Sequence, residues 1–196
     1  MSNRSKVLRT LLVLGIVACI AGAGVFSAFS SQTDNPGNVI TAGTVKLEDN
    51  DGGTALYAIT GAKPGDSKTS CIKVTYTGSL PSTVKLFTPS VIGELGPFVN
   101  LKVEAGTQST VAFPNCEGFT AYTTGGTVYE GTLAAFATEH NSYANGISTF
   151  PTGQTKWEAS NSVVYKFTAT LASSAPEAAQ GKSTNSHIIR WEAQNQ

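Results

Sequence analysis

From Ser162 to Leu171 the chain alternates between apolar and polar residues for ten positions. Val163, Tyr165, Phe167, Ala169 and Leu171 share one face, while Lys166, Thr168 and Thr170 share the other. A period of two over that length demands an extended backbone with one face buried and one face wet. That is the pattern of an antiparallel sheet packed on one side only. A chain with such a segment needs other strands to pair with it and a second layer to cover its apolar face.

Those strands are legible along the chain. Thr44-Val45-Lys46-Leu47 alternates, and Leu56-Tyr57-Ala58-Ile59 is a second apolar run. The polar stretch Glu48-Asp49-Asn50-Asp51-Gly52-Gly53 separates them as a turn, its glycines supplying positive φ. Lys63-Pro64-Gly65-Asp66 predicts a type II turn, with Pro at the first corner and Gly at the second. In Cys71-Ile72-Lys73-Val74-Thr75-Tyr76, Ile72, Val74 and Tyr76 fall on one face. Thr77-Gly78-Ser79-Leu80-Pro81 breaks that strand. Val84-Lys85-Leu86, Leu101-Lys102-Val103-Glu104 and Thr110-Val111-Ala112-Phe113 restart the period, and His187-Ile188-Ile189-Arg190-Trp191 is the last strand expected.

One stretch reads as helix. Thr132 is placed to cap residues 133–139, where Leu133, Phe136 and Ala137 recur at helical spacing. From Asn141 to Glu158 the chain is turn-rich. Many short strands with Gly and Pro between them predict an all-β, two-sheet antiparallel sandwich of jelly-roll type, with one short helix near 132–139.

The beginning of the chain has a different character. Arg4, Lys6 and Arg9 precede an apolar run from Leu11 to Val25, and small residues follow, which is the layout of an export signal. The run approaches the roughly 20 residues of a membrane-spanning helix only when Ser27 to Phe29 are included. An uncleaved transmembrane anchor is therefore the other reading, and contact with the membrane is expected only through this segment. Ala21-Gly22-Ala23 offers a small-x-small site, so cleavage after Ala23 is one possibility. A cut after Ala28 would have Phe26 at the third position before it, which an ordinary signal peptidase tolerates poorly. The organisation expected is a signal segment at 1–28, an extended segment at 29–40, and one β-sandwich domain at 41–196. Residues 91–159 would form an irregular insertion within that domain.

Charge and cysteine usage limit the functions. Loss of residues 1–28 removes Arg4, Lys6 and Arg9 from the 13 basic residues, leaving ten against 13 acidic residues and a net charge of −3. Such a chain has no electrostatic footprint for nucleic acid or anionic lipid. Cys19 leaves with the signal, and Cys71 and Cys116 remain. An even count in an oxidising compartment points to a disulfide, with two free thiols as the other reading.

No catalytic or metal motif stands out, and no cofactor is expected. A zinc protease needs about three protein ligands, often on a His-Glu-x-x-His helix. Here Glu139-His140 has no second His one turn on, and His187 sits in an expected strand. No Gly-x-Ser-x-Gly elbow is present. Asp49, Asn50 and Asp51 lack the alternating spacing of a calcium loop. Tyr76, Tyr143, Tyr165 and the two tryptophans read as core or sandwich-edge residues rather than a glycan site.

Five short segments carry a resemblance. Ala28-Phe29-Ser30 followed by Thr33-Asp34, with Ser31 and Gln32 intervening, resembles the export junction of the TasA/camelysin family of secreted bacterial surface proteins. Thr41-Ala42-Gly43-Thr44-Val45-Lys46-Leu47 is similar to that family's first strand, and Lys63-Pro64-Gly65-Asp66-Ser67 to its Pro-Gly-Asp turn. Gly78-Ser79-Leu80-Pro81 resembles its Gly-Ser-Leu-Pro turn, with Tyr76 where Asn is usual. Residues 178–183, followed by Trp191-Glu192-Ala193, resemble its closing segment.

The resemblance implies a jelly-roll domain cut after Ala28 by a dedicated signal peptidase, which would be a partner during export and would leave Phe29 as the new N-terminus. It also implies either a matrix or fibre-forming surface role or a camelysin-type metallo-endopeptidase. A monomeric surface-binding module is a third reading. In the structural reading, the segment carrying Phe29, Ser30, Thr33, Asp34 and Val39 is the assembly element. It would add as a strand to a neighbouring copy or to another surface or matrix protein. The chain closes on Gln194-Asn195-Gln196 without an apolar tail, so attachment is expected through assembly, a partner or an uncleaved signal.

Overall fold

A computed structural model describes residues 41–195 of the 196-residue chain. Nine strands and one α-helix are found among the described residues: β1 (Leu47–Asp49), β2 (Ser67–Tyr76), β3 (Thr83–Phe87), β4 (Val99–Gln108), β5 (Phe119–Ala121), β6 (Thr127–Thr132), α1 (Leu133–Glu139), β7 (Ile147–Ser148), β8 (Ser162–Leu171) and β9 (Arg190–Gln194). They form an all-β, two-sheet antiparallel sandwich. The larger sheet runs β1-β2-β8-β4-β5, with β6 also on β4, and the smaller runs β7-β3-β9.

The alternation read from Ser162 to Leu171 is β8 to its ends, at the centre of the larger sheet. Its register aligns the inner faces: Tyr165 lies between Ile72 and Ala105, and Phe167 between Ser70 and Val103. Ile72, Val74, Tyr76, Val103, Ala105, Tyr165 and Phe167 are all buried. From the smaller sheet, Val84 and Leu86 meet them, and Trp191 of β9 packs on Tyr165 and Phe167 at ring-centroid distances of 5.3 and 5.8 Å. Burying such aromatic and branched side chains is the main stabilising term, roughly 1.5–3 kcal/mol each.

Most of the polar groups in this core are hydrogen-bonded, as low-dielectric burial favours, while Ser70 Oγ and Trp191 Nε1 are buried without a partner among the described residues. Tyr76 donates to the carbonyl of Leu80, and its hydroxyl also meets Ser82 Oγ at 2.8 Å. Trp157 Nε1 donates to the Thr149 carbonyl at 2.6 Å, while Thr149 Oγ1 meets the Tyr165 hydroxyl.

The outer face of the larger sheet is polar. Glu104 there accepts from Lys166 at 3.2 Å and pairs with Lys102 at 3.4 Å. Partial burial pushes its carboxyl up, but the hydrogen bond and charge of Lys166, with Lys102, outweigh this and hold it below the usual glutamate range. α1 closes one end of the sandwich. Thr132 Oγ1 accepts from the Ala135 N–H at 3.1 Å, as an N-cap should, and Leu133 and Phe136 are buried. The turn at 63–66 forms as read: the Asp66 N–H donates to the Lys63 carbonyl at 2.9 Å, and Gly65 has φ +94°.

Several expectations need correction. Residues 56–59 form no strand. Leu56 and Tyr57 instead pack from a loop against the core. The reason is local: Asn50 Oδ1 accepts the Lys73 N–H at 2.8 Å, taking the edge position a further strand residue would need, and the chain turns away through Gly52 and Gly53. Residues 110–113 are a turn rather than a strand. The Asn115 N–H donates to the Ala112 carbonyl, Pro114 has no N–H to give, and Cys116 is tied to Cys71.

The first strand begins at Leu47 rather than Thr44, because Thr44 is occupied with Ser79 and Leu80. The last begins at Arg190, because His187 and Ile188 are held by Asn185 and Ser90. Residues 91–159 are no irregular insertion. They supply β4, which pairs with β5, β6 and β8, as well as α1.

The transmembrane helix is also corrected. Among the described residues no helix is long and apolar enough to cross a membrane, and α1 has seven residues. The segment to which that expectation referred, 1–28, where a signal-peptide helix was the other expectation, lies outside the described residues.

Candidate functional site

β2 has ten residues, but β1 pairs with only three of them, Val74, Thr75 and Tyr76. Backbone groups in a strand alternate sides. Tyr76 faces β8, where its N–H donates to Asn161 and its carbonyl accepts from Ser160. The odd-numbered residues of β2 therefore face the sheet edge. At that edge Lys73 is capped by Asn50, and the Cys71 N–H donates to the Pro114 carbonyl at 3.0 Å. Thr69 and Ser67 lie beyond, and both are exposed. Among the described residues, the edge of the larger sheet is thus closed by a short strand, one side chain and one disulfide-tethered loop, and then left open.

Beside this edge the sandwich parts. One wall of the opening is the loop after β1, with Leu56, Tyr57 and Ile59. The other is the approach to β9, with Ile188, Ile189 and Trp191. Its floor carries Val74, Val99, Leu133, Ala169 and Leu171 from four elements, and its volume is about 1260 Å³. The two walls are joined by one polar contact, Tyr57 to His187 Nε2 at 2.8 Å. His187 Nδ1 faces the Asn185 carbonyl at 3.0 Å and must donate there, while Nε2 meets the Tyr57 hydroxyl. Burial pushes the Tyr57 phenol well above its ordinary value, so it stays protonated and able to donate. Ile59 and Ile188, 38% and 54% exposed, lie at the mouth of the groove.

The predicted residues fall in three groups. Cys71 and Cys116 are joined as a disulfide, with Cα atoms 5.1 Å apart. Ala23, Ala28, Phe29, Ser30, Thr33, Asp34 and Val39 lie outside the described residues. The possible metal ligands are engaged elsewhere. Asp49 Oδ1 accepts from the Asp51 N–H, Asp51 Oδ1 accepts from the Gly53 N–H, and His140 Nδ1 donates to the Asn145 carbonyl. Burial first, and the nearby Asp51 charge second, raise the Asp49 carboxyl against a lowering hydrogen bond from the Asp51 backbone. Among the described residues no three His, Cys, Asp or Glu side chains stand together as a possible ion site.

The Tyr57–His187 contact escaped the sequence reading because 130 positions separate the two residues. The apolar run 56–59 was its only signal, and that run was read as a strand.

No protein-family model matches the chain, and no curated protein matches it.

Proposed function

We propose that this protein is an exported structural component of the cell surface or extracellular matrix. In this reading it assembles when its N-terminal segment, 29–40, adds as a strand to a neighbouring copy. The observation that carries the proposal is the edge of β2, of which β1 pairs only three residues among those described; an apolar groove opens beside that paired part, at Leu47, Asp49 and Val74. An open sheet edge supplies unpaired backbone donors and acceptors, and a groove beside it offers pockets for alternate side chains. A head-to-tail contact of this kind does not close on itself and extends into a filament.

Other features support the same reading. The Cys71–Cys116 bond suits an oxidising compartment outside the cytoplasm. The basic-then-apolar start suits export, with a signal peptidase cutting after Ala28 or, alternatively, Ala23. The sandwich, with β2, β8 and β4 facing β3 and β9, suits a jelly-roll-like winding of the kind the TasA/camelysin resemblance implies. A camelysin-like peptidase reading finds no such support, because His140 and His187 are held apart, on the Asn145 and Asn185 carbonyls.

Export is tested by expressing the chain in a Gram-positive secretion host and sequencing the N-terminus of the protein in the medium. Phe29 or Gly24 at the N-terminus supports the proposal. Retention of the intact chain in the cytoplasm contradicts it. Assembly is tested separately, by electron microscopy of the form beginning at Phe29.

A further inference from the structure

A second cleft lies away from the groove. It opens between the loop that follows β5, residues 121–126, and residues 148–154, over the end of β4, and has a volume of about 590 Å³. That is within the range of small-ligand sites. Among the described residues, no Asp, Glu, Lys, Arg or His lines it. Tyr122 and Phe150 are half-buried and pack with one side against the core. Around them Thr107, Thr120, Thr152 and Gln154 are exposed.

The cleft is held on both sides. Tyr122 N–H donates to the Ala105 carbonyl at 3.0 Å, and Ala105 N–H donates to the Gly126 carbonyl at 2.8 Å, so β4 carries the first loop. The second loop is anchored through Thr149, whose carbonyl accepts from Trp157 Nε1 and whose hydroxyl meets Tyr165 in the core. Gln154 N–H closes a turn on the Pro151 carbonyl at 3.0 Å.

We propose that this cleft binds a neutral oligosaccharide. A sugar ring presents an apolar C–H face and a rim of hydroxyls that both donate and accept. Aromatic rings match the face, and threonine hydroxyls and a glutamine amide, each also donor and acceptor, match the rim. The described lining carries no lysine or arginine to hold a phosphate or a uronate carboxylate, both of which charge-assisted bonds would otherwise favour. The inference does not depend on filament formation. It would give an exported surface protein a second attachment, to polysaccharide.

The test uses purified ¹⁵N-labelled full-length protein, titrated separately with cellohexaose, maltohexaose and mannohexaose, and with hexagalacturonate as the charged comparison. The expected result is that at least one neutral hexaose moves the amide resonances of Thr120, Tyr122, Gly153 and Gln154, while hexagalacturonate does not. Gln154→Ala, at an exposed position that leaves the core intact, should weaken that binding about two- to tenfold, the range for one hydrogen bond. The proposal is overturned if none of the three neutral hexaoses moves those resonances. It is equally overturned if hexagalacturonate moves them as strongly, or if Gln154→Ala leaves the affinity unchanged.

Discussion

Asn50 and Lys73 meet across the edge of the larger sheet: the side-chain oxygen of Asn50 accepts the backbone N–H of Lys73 at 2.8 Å. The bond sits where β1 stops, one position beyond its last paired residue on β2, and takes the place of the next strand residue. It caps the β2 edge where β1 leaves it and turns the chain into the wall of the groove; Cys71 beyond it is held by the Pro114 carbonyl, and the open part begins at Thr69.

Asn50→Ala should therefore free the Lys73 N–H. The expected cost is about 1 kcal/mol, that of one ordinary hydrogen bond. Hydrogen exchange at Lys73 should quicken while exchange at Val163 and Tyr165 in β8 stays slow. Unchanged exchange at Lys73 would show that the cap does not protect the edge.

The disulfide is expected to matter more. Cys71 and Cys116 are separated by 45 positions, and closing a loop of that size restricts the unfolded chain by about 4 kcal/mol on the chain-entropy account. Cys71→Ser combined with Cys116→Ser should lower the denaturation midpoint by a corresponding amount, and added reductant should then have no further effect. Equal stability of the two forms in oxidising buffer would contradict this.

At the end of the sandwich, Thr132→Ala should cost about 1 kcal/mol through loss of the helix cap, whereas Phe136→Ala should cost about 3–5 kcal/mol through the cavity it leaves. Urea denaturation of the two variants separates these terms. Equal losses would mean that α1 is not held by its buried face.

Glu104 gives a pH dependence with a definite sign. Its carboxyl titrates below the usual glutamate range in the folded protein, so the unfolded chain binds a proton first as pH falls. The stability it contributes is complete above the ordinary glutamate value, about 4.3, and is lost as pH falls through the depressed folded value. Lys166→Met removes the main lowering partner and should flatten that acid limb. Denaturation curves taken from neutral pH downward, compared between the two proteins, would show it. Parallel limbs would mean that Lys166 does not hold Glu104.

Elements with a strong local signal were legible in the chain. The ten-residue alternation of β8, the Thr132 cap and the Pro64-Gly65 turn follow from neighbours in sequence, and each forms where it was read. The failures share a cause. Residues 56–59 and 110–113 have strand-like composition, but a strand also needs a free partner edge. On β2 those edge positions are occupied by Asn50 and by the Pro114 carbonyl. Nothing within either segment reports that. The groove and the hydroxyl-lined cleft were hidden for a related reason: each is assembled from loops far apart in the chain, and none of those loops is unusual alone.

The central claim is that the open edge of β2 accepts the N-terminal segment of another copy. The most direct measurement is negative-stain electron microscopy of the protein beginning at Phe29, alongside a form lacking residues 29–38, both at near-physiological salt. The account predicts filaments from the first form and monodisperse particles from the second, with the same circular dichroism spectrum for both. Filaments of the same appearance from both forms, or none from the form beginning at Phe29, would contradict it.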